Sequence, residues 1–135
     1  MHQASTSSEN SKGMLWTGRI LSALAILVFV FTASFGLVKP DIAKQGFVHY
    51  SYPEGAMTRI LIAEIVCVLL YAIPQTSVLG AILLTGYLGG AVATHFRVGE
   101  PFFLPLGVAI IIWLGLFFRE RRLRALVPLR SSPPA

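Results

Sequence analysis

From Ile20 to Val38 the chain runs 19 residues without one charged side chain. An α-helix rises about 1.5 Å per residue, so a run of this length reaches across the roughly 30 Å hydrocarbon core of a bilayer. Three more apolar stretches follow, over about 55–73, 78–96 and 101–118, with short polar segments between them. Helices that are apolar on every side have no face to offer water, whereas in lipid their backbone groups are satisfied internally. The expected fold is therefore all-α: an integral membrane four-helix bundle with antiparallel, up-and-down neighbours. Composition agrees. Charged residues make up 13% of the chain and hydrophobic residues 55%, against about 25% and about 45–50% in soluble domains.

The first run has one rival reading, a cleaved signal peptide. The apolar region of such a peptide is usually about 7–15 residues and ends at a small-x-small site. This one is longer, follows Trp16 and Arg19, and ends in Lys39-Pro40, so a retained span over about 16–38 is favoured. Residues 1–15 are polar and serine-rich and predict a disordered tail. Residues 16–118 form the transmembrane domain and 119–135 a basic tail. The one long loop, 39–57, contains Asp41–Phe47, which suits a short interfacial helix, and the aromatic residues Phe47, Tyr50 and Tyr52, which suit the headgroup level. Pro101 fits the first turn of the last span, and Pro105 predicts distortion near its start.

A net charge of +5 could point to nucleic acid, but the basic residues lie at the ends of the apolar runs and form no soluble basic face. Lipid is the expected partner. Lys12, Arg19, Arg119, Arg121, Arg122, Arg124 and Arg130 would share one side, and Lys39, Lys44, Arg59 and Arg97 the other. The positive-inside rule then puts both termini in the cytoplasm. Arg119, Arg121, Arg122 and Arg124, interleaved with leucines, read as a membrane-surface basic segment. In the third span Gly86, Gly89 and Gly90 belong to a small-residue pattern that lets helices approach closely in lipid.

A charged side chain inside a span is costly and is by default a functional candidate. Glu64 is the clear case, on one stripe with Cys67 and Tyr71. His95 and Arg97 close the third span at a similar depth. Helical projection favours Arg97 over His95 as the partner of Glu64, if the small-residue face packs inward. The three residues are the candidate ligand-binding pocket. The bland reading of Glu64 is a buried acid that fixes helix register. Cys67 is the only cysteine, which excludes an internal disulfide and a CxxC pair, and the three histidines lack metal-ligand spacing. No metal, cofactor motif or nucleophile–base pair is legible, so the chain is not expected to be an enzyme on its own.

The segment Gly-Tyr-Leu-Gly-Gly-Ala-Val-Ala-Thr-His-Phe-Arg-Val-Gly-Glu-Pro at 86–101 resembles the DoxX-like proteins, small bacterial four-helix membrane proteins. Their glycine-rich third helix ends in Thr-His-x-Arg-x-Gly-x-Pro, matched here by Thr94, His95, Arg97, Gly99 and Pro101. The segment Ile-Ala-Glu-Ile around Glu64, Phe35-Gly-Leu-Val-Lys39 and the basic tail Leu123–Arg130 are similar as well. The resemblance implies the bacterial inner membrane. It also implies an accessory or ligand-binding role, or a membrane subunit of a quinone- or thiol-linked oxidoreductase with a redox-enzyme partner. Transport is a third reading, and would require a homo-oligomer.

Overall fold

A computed structural model of the chain describes residues 2–127. Six helices follow in order: α1 (His2–Val38), α2 (Pro40–His49), α3 (Ala56–Ala72), α4 (Ser77–Val98), α5 (Phe103–Arg119) and α6 (Arg121–Arg124), with no strand among the described residues. The described residues are helical apart from the turns between helices, as long runs that are apolar on every side require. α1 extends further back than composition suggests: it carries helix to His2 through the polar segment expected to be disordered. Once the apolar part is helical, each added residue gains a hydrogen bond without a new nucleation cost. Arg130, part of the expected basic tail, lies outside the described residues.

The ends of the helices follow from local chemistry. Pro40 opens α2 at the position where a missing N–H costs nothing. Pro74 ends α3, and the turn behind it is tied by the Thr76 hydroxyl donating to the Leu70 carbonyl at 2.8 Å and the Ser77 hydroxyl to the Pro74 carbonyl at 3.0 Å. α4 stops where Gly99 takes a left-handed φ of 76° and its N–H turns back to the last turn of the helix. α5 starts at Phe103, two residues later than the sequence suggests. Pro105 therefore falls within the first turn, where backbone N–H groups have no helical partner, and the expected distortion has no cause.

α1 has α3 and α5 as neighbours, and so has α4; α2 lies against α1 and α3, and α6 against α5. Ala25, Phe29, Tyr71, Ala81, Leu84, Leu88, Val108, Ile112 and Leu116 form the buried core. Two contacts are close enough to demand glycine. A Cβ on Gly80 would stand 2.2 Å from the Tyr71 nitrogen, and one on Gly18 would stand 2.8 Å from the Gly115 carbonyl oxygen. By contrast, a Cβ on Gly86, Gly89 or Gly90 would meet nothing within 4 Å. The expected packing role of those three glycines is not found within this chain. The inward face of α4 is Ser77, Gly80, Ala81, Leu84 and Leu88, a stripe rotated away from them.

The outside is as apolar as the inside. Leu27, Phe31, Ile62, Leu69, Ile82, Leu104 and Ile110 are all exposed. Lys12–Val38 and Ser77–Val98 are long and apolar enough to cross a membrane, yet only 22% and 28% of their apolar stretches are buried within the protein. A core helix of a soluble domain would hide such residues. The pattern is consistent with a membrane protein whose outer surface faces lipid.

Candidate functional site

Glu64, halfway along α3, is 5% exposed. Its Oε1 lies 2.6 Å from the Thr32 hydroxyl of α1, whose one proton is shared with the Phe29 carbonyl at 2.9 Å, and its Oε2 accepts from the Tyr87 hydroxyl of α4 at 2.9 Å. One carboxylate thus ties three helices through neutral donors. Among the described residues no cation is paired with it, and the carboxylate contacts of His49 and His95 both go to Glu100. The Tyr87 ring is oriented by an edge contact to Phe29, with centroids 6.1 Å apart.

Glu64 lines a cavity of about 270 Å³ with Thr32 and Tyr87, roofed by Ala43, Gly46 and Phe47 of α2. A second cavity, of about 360 Å³, contains His95, Thr94 and the open backbone at Gly86 and Gly90. Phe47, Tyr50, Ile60 and Tyr87 line both, so the two spaces adjoin along these four residues. Glu64 and His95 therefore lie in neighbouring compartments. Arg97 lines neither, and the expected Glu64–Arg97 contact is not made. The guanidinium donates instead to the Tyr50 carbonyl.

Arg97 belongs to a polar clasp that holds the chain after α2 against the end of α4. Glu100 accepts from the Tyr50 hydroxyl at 2.7 Å, from His49 Nε2 at 2.9 Å and from His95 Nδ1 at 3.2 Å. The Thr94 hydroxyl gives its proton to the Gly90 carbonyl, so at 2.7 Å it accepts from the Tyr52 hydroxyl. Between these tyrosines Ser51 sits at φ 57°, a left-handed conformation that a residue with a Cβ rarely adopts. The Thr-His-x-Arg-x-Gly-x-Pro segment is thus a unit: Thr94, His95 and Arg97 reach toward residues 50–52 directly or through Glu100, and Gly99 makes the turn that presents Glu100.

The clasp has a definite pH window. Hydrogen bonds from Tyr50, and then from His49, hold the Glu100 carboxyl below its usual value. Burial, and then the bond to Glu100, push the Tyr50 hydroxyl up from 10.0 to about 12. A depressed carboxyl stabilises above its unfolded value, about 4.3, and the contribution is lost as pH falls through the folded value. A raised tyrosine stabilises below its unfolded value and loses that contribution as pH rises toward 12. The clasp is expected to be firmest between these limits. Glu100→Gln should speed amide exchange over residues 47–52 several-fold at neutral pH, read as protection factors corrected for intrinsic rates. Unchanged protection would show that the clasp does not hold the segment.

Thr32, Tyr87, His49 and Glu100 are site residues that the sequence did not single out, and Tyr50 was legible only as a headgroup-level aromatic residue. One signal was present: Tyr87, Ala91 and His95 recur every four residues on one face of α4, marking the stripe that lines the cavities.

A family model described as the DoxX-like family matches residues 20–117. The chain belongs to the DoxX-like family. The match takes in α1 from Ile20, both cavities and the whole clasp, and ends within α5. No curated protein and no solved structure matches this DoxX-like chain.

Proposed function

We propose that this DoxX-like protein is a multi-pass protein of the bacterial inner membrane that binds a small molecule in the paired cavities beneath α2. The supporting observation is Glu64: a buried acid, locked by Thr32 and Tyr87, that still lines an open space. An acid that only fixes register has no need of a cavity beside it. In this reading α1, α3, α4 and α5 are the four spans of an up-and-down bundle. Both ends lie in the cytoplasm, where seven of the eleven basic residues would gather. The clasp then faces outward, and the cavities lie in the outer half of the bundle. A reporter fused at the C-terminus should read as cytoplasmic.

The binding role is tested on the purified chain in detergent with a panel of quinones, thiols and aromatic amines. At least one class is expected to raise the melting temperature of the wild type and to lose that effect in Glu64→Gln. If no class shifts the wild type and Glu64→Gln merely melts lower, Glu64 is a structural residue and the binding role fails.

A further inference from the structure

We propose that the paired cavities recognise a ring-bearing organic ammonium ion, with its charge at Glu64 and its ring in the second cavity. The inference rests on the ligand-binding reading above and adds the class of ligand. It starts from charge. Both oxygens of Glu64 are held by hydroxyl groups, which are neutral, and among the described residues no cation pairs with it. The basic groups that close α4 are engaged elsewhere: Arg97 donates to the Tyr50 carbonyl and His95 to Glu100. Hydrogen bonds solvate a buried carboxylate in part, but they leave its field uncompensated. A ligand anion would be repelled there and a neutral ligand gains little. A cation supplies the charge that the protein does not.

The walls point to the same class. Phe47, Tyr50 and Tyr87 line both compartments, and Tyr52 lines the second. Aromatic faces attract cations, most strongly when water is excluded, and such cages are the common solution for ammonium groups that cannot donate many hydrogen bonds. The floor of the second compartment is the backbone at Gly86 and Gly90, where a Cβ would meet nothing within 4 Å. A flat ring can rest against that surface. The compartments, about 270 and 360 Å³, adjoin along the lining residues they share, and have volume for an ammonium head in the first and one ring in the second.

The experiment uses the full chain in phosphatidylcholine nanodiscs, whose net neutral lipid does not concentrate cations. Binding of benzyltrimethylammonium is compared with its neutral carbon isostere, neopentylbenzene, and with the anion phenylmethanesulfonate. The ammonium is expected to bind about tenfold tighter than the isostere, a reasonable sum of charge and aromatic contributions, and the sulfonate not at all. Glu64→Gln should remove that tenfold advantage and leave the isostere unchanged. Gly86→Leu, whose Cβ enters open space and whose side chain takes up room in the second compartment, should weaken both ammonium and isostere. Even if Glu64→Gln fails to fold, the wild-type discrimination and Gly86→Leu decide the matter. Equal binding of ammonium and isostere overturns the cation assignment and leaves a pocket. Absence of binding by all three probes, with Gly86→Leu indistinguishable from wild type, overturns the cation assignment and the binding role together.

Discussion

Gly80→Val is expected to lower the melting temperature of the protein by about 10 °C or to prevent its folding. A Cβ at this position would lie 2.2 Å from the Tyr71 nitrogen, 2.5 Å from the Tyr71 Cα and 2.7 Å from the Leu70 carbonyl carbon. All three are backbone atoms at the end of α3, so no side chain can rotate aside. The α3–α4 connection is short and tied by Thr76 and Ser77, and it fixes how closely the two helices begin to run. Relief would require α3 and α4 to part at their tightest point, pulling Leu84 and Leu88 out of register with the core. Overpacking usually costs about 1–3 kcal/mol and more where the backbone must move, and this contact belongs at the upper end. The matching control is Gly86→Ala, where the added methyl group enters open space and helix propensity improves by about 1 kcal/mol. Thermal denaturation in detergent, followed by the loss of the monodisperse peak, should separate the two variants clearly. A Gly80→Val protein that melts with the wild type would mean that the α3–α4 contact is looser than described.

The contrast between Gly80 and Gly86 also shows where the sequence is legible and where it is not. Hydropathy places α3, α4, α5 and the end of α1 to within a few residues, because an apolar run of this length has few alternatives, but it does not show that α1 reaches back to His2. The short helix after Lys39 is equally readable, since Pro40 starts it and its composition differs from the runs on either side. What a run does not show is its rotation about its own axis. In α4, glycine at 86, 89 and 90 suggests the packed face, yet the packed face is Ser77, Gly80, Ala81, Leu84 and Leu88. Both stripes satisfy helical spacing, and on a helix that is apolar all round no polar face distinguishes them. The same ambiguity hides the site. Glu64 is visible as a charge in an apolar run, but its partners Thr32 and Tyr87 are ordinary residues in membrane helices and become special only when α1 and α4 are turned toward α3. His95 and Arg97 are found by their motif, and their destination is not: an arginine near a buried acid is the obvious pair, whereas here it holds the carbonyl of Tyr50.

The second large effect is expected at Tyr71, at the opposite end of α3 from the clasp. Its side chain is 1% exposed. The hydroxyl donates to the Ile112 carbonyl of α5 at 3.0 Å and, with its proton so used, accepts from the Ser22 hydroxyl of α1 at 2.9 Å. The Arg119 guanidinium lies over the ring, 4.9 Å from its centroid, and Nη2 donates to the Tyr71 carbonyl at 3.1 Å. Arg119 Nε is buried there without a hydrogen-bond partner, so the ring face supplies part of the environment of that charge. Tyr71→Ala would remove an aromatic core residue, a hydroxyl shared by two helices and the seat of the arginine, and is expected to cost about 3–5 kcal/mol. Tyr71→Phe keeps the ring and should cost about 1–3 kcal/mol, because the Ser22 hydroxyl is left buried without its acceptor. That assignment can be tested by a double-mutant cycle. Ser22→Ala alone removes one partner, whereas Ser22→Ala with Tyr71→Phe removes both and should cost less than the sum of the single variants. Additive losses would show that the Ser22–Tyr71 hydrogen bond is not what joins α1 to α3 at this level. The packing of the ring in the core beneath Arg119 would then be the dominant constraint.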